Sequence, residues 1–265
     1  MQNEPNGDEK KGLIGRPALL LALLMATGAS FILCGYEMIR TTANTLFVTE
    51  YGKKWLPLGM GLVPVGVTGV LYLYGRFLSW LGPRRTLRAT TFLAIVTMVL
   101  CYAGIRFKVP YSRALLFVVK ESYVVLLIEQ YWSYIDSMLS KESARRLNGP
   151  ICGVASIGAV LGGELLYRLS APWGTLNMVL LASVVTLPGL FFGDRCYARF
   201  GEPPDRPKQH GGEKSSIAHY LGLDLFKSQR ILLIIVGLVI SAQLVAAAQE
   251  LLFKSLLQDV YPNPD

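Results

Sequence analysis

The sequence predicts an all-α polytopic membrane protein, and three observations carry that expectation. Of its 265 residues 52% are hydrophobic and only 17% charged, with mean hydropathy +0.41; a soluble domain this large needs more polar side chains to cover itself. Seven apolar stretches each approach or exceed the roughly 20 residues a transmembrane helix requires. Ionisable residues sit inside several of these stretches, and a charge at bilayer depth is costly unless it faces water or a partner charge.

In chain order, residues 1–16 form a polar tail, expected to be disordered and cytoplasmic. The spans fall at roughly 17–48, 55–82, 87–106, 113–138, 150–170, 174–193 and 229–256 on the length criterion. The first six form an N-terminal bundle over 17–193. The first is too long for the short apolar core of a signal peptide and lacks a small-residue cleavage site. A hydrophilic linker at 194–228 contains EPPDRPKQHGGEK, whose proline, glycine and charge mark a connector. Within it, SSIAHYLGLDLF reads as a short amphipathic helix at the membrane surface. The stretch 229–265 then supplies one further span.

A net charge of +8 invites a nucleic-acid reading, but its distribution favours topology. Sixteen basic residues, among them Lys10, Arg84, Arg85, Arg146 and Arg199, fall on one side of the expected bundle, and six, including Lys53 and Arg113, on the other. The positive-inside rule places the N-terminus in the cytoplasm, with the bacterial inner (cell) membrane as the expected location. The lipid bilayer is thus an expected partner and nucleic acid is not. Cys34, Cys101, Cys152 and Cys196 contain no CxxC pair, so buried structural thiols are favoured over a disulfide framework or zinc. No span carries a Ser/His/Asp set, a metal cluster or HExxH, so neither an enzyme nor a cofactor is expected.

The candidate site residues lie inside the spans. Glu37, Arg40 and Asn44 are three and seven residues apart and share one face of the first span. They read either as a cavity-lining face that meets an anionic solute through Arg40 or as an internal ion pair holding helices together. Glu121, Glu129, Trp132 and Asp136 fall within a stripe roughly 80° wide on the fourth span, with Lys120 about 100° away from it. Two acids on one face suit a cation or a coupling proton; charge neutralisation of Arg40 or Lys254 is the alternative. Asp136 is expected at the cytoplasmic headgroups. Gln243, Glu250 and Lys254 share a face of the last span, where Lys254 can snorkel outward. Glu164 and Arg168, at i,i+4, read as an exposed pair. Gly149, Gly153, Gly158, Gly162 and Gly163 in the fifth span include two GxxxG spacings, which let helix backbones approach closely.

Six spans, a cytoplasmic linker and a further span match one half of a major-facilitator transporter plus the first helix of its other half. The chain is expected to be a piece of such a twelve-helix protein; a genuine seven-span protein is the rival. YGRFLSWLGPRRTLR resembles that superfamily's cytoplasmic loop motif through Gly75, Gly82, Arg84 and Arg85, with Ser79 where an aspartate is usual and Pro83 in place of a basic residue. Three further stretches resemble the ATP/ADP antiporter branch: EMIRTTANTLFVT, KESYVVLLIEQYWSYIDSMLSKESARRLNGPICGVASIGAVLGG and ELLFKSLLQDVYP. The resemblance implies a secondary transporter working by alternating access, with Glu121 important for transport and Arg40 and Lys254 shaping the cavity. It also implies a small, nucleotide-like solute exchanged for a proton or counter-solute. Ala43 and Asn44 stand where that branch carries Lys-Asp. A non-transporting scaffold or receptor that keeps the fold is the alternative function.

Overall fold

The computed structural model describes residues 12–203 and scattered positions between 234 and 252. The described residues are helical, without a β-strand: α1 (Arg16–Tyr51), a single 3-10 turn (Lys53–Trp55), α2 (Leu56–Arg106), α3 (Ser112–Met138), α4 (Lys141–Trp173) and α5 (Asn177–Phe200). Four of them, α1, α2, α4 and α5, are long and apolar enough to cross a membrane. The amphipathic segment expected within 215–226 and the polar face of the last span lie outside the described residues.

Local chemistry sets the ends of these helices. Pro17 and Pro57 occupy first-turn positions of α1 and α2, where a missing N–H costs nothing. Ser140 caps α4, its hydroxyl accepting the Ser143 backbone N–H at 3.2 Å. Gly52, Gly174 and Gly201 close α1, α4 and α5 with φ of 79°, 82° and 84°, which favour glycine.

The two spans expected at 55–82 and 87–106 form a single element, α2, broken at Gly82 (φ 73°, ψ 167°). Pro83 has no N–H and disfavours a helical residue before it, so the chain turns there while both arms stay helical. Thr86 Oγ1 bridges the break by donating to the carbonyls of Phe77 (3.2 Å) and Gly82 (2.7 Å). Two other boundaries move. α4 begins at Lys141 rather than near 150, and α5 runs to Phe200, so Arg195 and Arg199, expected in the linker, are helical.

α1 is the central helix, packed against α3, α4 and α5; α2 lies on α3 and α5. Close approach of α4 to α1 depends on Gly158 and Gly162. A Cβ built at Gly158 would sit 1.8 Å from Ser30 O, and one at Gly162 would sit 2.4 Å from Cys34 O. Gly149 and Gly153 have no such neighbour within 4 Å, so only the second GxxxG pair meets α1. Buried tyrosines bind the core. Tyr123 Oη donates to Ile32 O at 2.9 Å, and Tyr131 Oη donates to Gly189 O. A donor without water nearby needs such a partner. Ahead of α1, Leu13 N donates to Met138 O at 2.8 Å. The end of the expected polar tail is therefore bonded to the α3–α4 loop.

Candidate functional site

The helix spacing of α1 stacks Tyr36 and Arg40 one turn apart, with Glu37 three residues before Arg40 on the same side. Arg40 Nη2 donates to Glu37 Oε1 at 2.7 Å, and the Arg40 guanidinium lies 6.0 Å from the Tyr36 ring centroid. Tyr36 Oη crosses to α3 and donates to Glu121 Oε2 at 3.0 Å. The other oxygen of Glu121 accepts from Lys120 Nζ at 2.5 Å, and that ammonium lies 4.5 Å from the Phe117 ring centroid. Two cations and two carboxylates thus form one connected network between α1 and α3, with Tyr36 as its bridge.

Exposure is uneven along this network. The Lys120 side chain is 5% exposed, against 27% for Glu121, 22% for Glu37 and 37% for Arg40. Lysine is rarely buried unless paired, and here the carboxylate and the aromatic face satisfy it. α4 runs alongside, since a Cβ at Gly163 would lie 4.0 Å from Glu37 Cγ. Toward the C-terminal end of α1 the network gives way to aromatic packing. Phe47 lies 4.5 Å from Phe117 and 4.9 Å from Tyr51 between ring centroids, with Leu56 beside them.

The predicted residues separate into groups. Glu37, Arg40 and Glu121 belong to the network. Asn44, one turn beyond Arg40, is 9% exposed, and its Oδ1 makes no hydrogen bond. Glu129 lies on the exposed side of α3, apart from Glu121, and Trp132 is half-buried against the main core. Asp136 is exposed. Lys254, with Gln243 and Glu250, lies outside the described residues. Glu164 and Arg168 pair at 2.5 Å with both side chains at least half exposed.

Lys120 and Tyr36 are the residues that sequence reasoning missed. The helical wheel set Lys120 about 100° off the acidic stripe, but its four-carbon stem carries the ammonium back to Glu121. The available signal was a lysine inside an apolar run, which demands a partner. Tyr36 carried no signal beyond its place next to Glu37.

A second charged cluster lies beyond the apolar part of α5. Arg84 donates to Asp194 through Nε (2.8 Å) and Nη2 (3.1 Å), and Arg88 Nε donates to the same carboxylate at 2.7 Å. The Arg84 hydrogen bond first, then that from Arg88, holds the Asp194 carboxyl below its ordinary range. Ser79 donates to Arg76 O at 2.8 Å, so the acid that meets the loop arginines comes from α5. Cys34, Cys101 and Cys196 are buried and Cys152 is exposed, all four as free thiols; Cys152 therefore departs from the buried reading. Among the described residues no His/Cys/Asp/Glu group is arranged to hold a metal ion. Comparison with family models, with curated proteins and with solved structures found no match to this chain.

Proposed function

We propose that this chain acts in secondary transport, moving a small anionic solute across a membrane by alternating access. The observation that supports this reading most is the Glu37–Arg40–Tyr36–Glu121–Lys120 network. Replacing a buried ion pair by packed hydrophobic residues is often neutral or stabilising, so the Lys120–Glu121 pair, with its lysine 5% exposed among apolar helices, favours a role beyond packing. Arg40, the more exposed cation, is the first contact for an anion, and Glu121 balances charge or carries a proton.

By the resemblance of its motifs, nucleotides head the solutes to be tried, followed by inorganic phosphate and dicarboxylates. The inner-membrane location and the cytoplasmic N-terminus belong to the same proposal and rest on the basic-residue asymmetry, while the major-facilitator architecture in it rests on the order of spans and linker and on motif resemblance. The test is uptake of labelled ATP, ADP, phosphate and succinate by the full-length protein in proteoliposomes. Saturable uptake lost in Glu121→Gln is expected. Absence of flux for all four, together with binding of a soluble protein, would favour the scaffold reading instead.

A further inference from the structure

Lys120 is the most enclosed charge of the network, 5% exposed, while its partner Glu121 is the more accessible of the two at 27%. Lys120 Nζ has Glu121 Oε1 on one side and the Phe117 ring on the other. Among the described residues, the groups facing Glu121 are Lys120 from its own helix and Tyr36 from α1, with Glu37 and Arg40 next along α1. α2 meets this part of α3 through Gly59 and Gly66, which approach Phe117 and Val118, and residues 56–71 carry no ionisable side chain. Among the described residues, the formal charges of Lys120 and Arg40 balance those of Glu121 and Glu37.

An anion entering this site has two consequences. Its best donor is the lysine that Glu121 occupies, because the low exposure of Lys120 strengthens any hydrogen bond made there. Taking that donor leaves the Glu121 carboxylate, 27% exposed, without its counter-charge, which is unfavourable. The carboxylate is relieved if it takes up a proton.

We propose that Glu121 is a resident stand-in for the solute anion on Lys120, and that solute binding displaces it with uptake of one proton. The step balances: Glu121 carboxylate gains a proton and becomes the acid, Lys120 remains an ammonium and transfers its hydrogen bond to the anion, and the proton offsets one negative charge of the solute. This assigns the anion-holding role to Lys120 and fixes the coupling at one proton per anion bound. It rests on the transporter reading only for the flux that follows.

The test measures thermal melting of the detergent-solubilised full-length protein with inorganic phosphate, succinate or ATP at pH 5.5 and 7.5. At least one of these anions is expected to raise the Tm, and by more at the lower pH. In Glu121→Gln, where no carboxylate has to be neutralised, the difference between the two pH values shrinks to what the anion's own titration supplies. In the double variant Lys120→Met/Glu121→Gln, which removes both charges and keeps the volume, the rise disappears. Three results would each overturn the proposal: no stabilisation by any of the three anions, a rise that persists in the double variant, or a pH dependence unchanged in Glu121→Gln. The transporter reading fails separately. Lys120-dependent, proton-linked binding without flux in proteoliposomes would remove transport and leave the displacement intact. Flux that is indifferent to Lys120 and to pH would do the reverse.

Discussion

Arg84 and Asp194 meet through two hydrogen bonds, Nε to Oδ1 at 2.8 Å and Nη2 to Oδ2 at 3.1 Å, which join the start of the second arm of α2 to the end of α5. Arg88 adds a third donor to the same carboxylate. A two-pronged guanidinium contact fixes orientation as well as charge, so the break at Gly82 is held in register with α5. The same cluster makes the structure sensitive to acid. Because the folded Asp194 carboxyl lies below its ordinary range, its stabilisation is fully present above that range and is lost as pH falls through the folded value. Melting curves should therefore show a Tm that drops below about pH 4, and Asp194→Asn should flatten that part of the pH profile. An unchanged acid limb in Asp194→Asn would remove the cluster from the acid response.

The contact of α4 with α1 predicts a sharp contrast between two glycines. Gly158→Val must push against the Ser30 carbonyl, whereas Gly153→Ala enters open space. Overpacking costs about 1–3 kcal/mol and more when backbone is the obstacle. Gly158→Val should lower the Tm markedly or abolish a monodisperse peak on size-exclusion chromatography, while Gly153→Ala should change neither.

Tyr36→Phe deletes the hydroxyl that bridges the two ion pairs while keeping the ring under Arg40. A hydrogen bond to a charged group contributes about 1.5–3 kcal/mol, and the partial exposure of Glu121 points to the lower end. A loss of about 1.5 kcal/mol in chemical denaturation is expected. No change would mean that the two pairs are independent.

Gly82 tests the break in α2. Its backbone angles, φ 73° and ψ 167°, belong to a region that is essentially glycine-only, and a side chain there costs of order 1–3 kcal/mol. Gly82→Ala should destabilise by that order, although its nearest neighbour, the Glu202 carboxylate at 3.8 Å, leaves ordinary room for a methyl group. If Gly82→Ala melts like the parent protein, the turn tolerates another conformation.

The helical class and the approximate positions of the helices were legible because hydrophobic length is a one-dimensional property. α1 and α3 fall close to the expected 17–48 and 113–138, but α3, expected as a span, is not among the four described helices apolar enough to cross a membrane. Boundaries were read poorly where charged residues continue a helix past its apolar part. α4 starts at Lys141 because Ser140 caps it, and α5 carries Arg195 and Arg199 beyond its apolar run. The Glu37–Arg40 pairing follows from i,i+3 geometry within one helix, so it too could be read from spacing.

By itself, then, the amino-acid sequence determined that the described part of this chain is built of largely apolar helices and roughly where they lie. The tertiary structure alone decided which partners its residues have: Tyr36 for Glu121, Asp194 for Arg84, and the bare α1 backbone for Gly158 and Gly162. Periodicity gives the direction in which a Cα–Cβ bond leaves its own helix, but not the rotation of that helix against a neighbour. It also does not constrain a flexible stem such as that of Lys120, whose ammonium sits far from the direction its backbone sets.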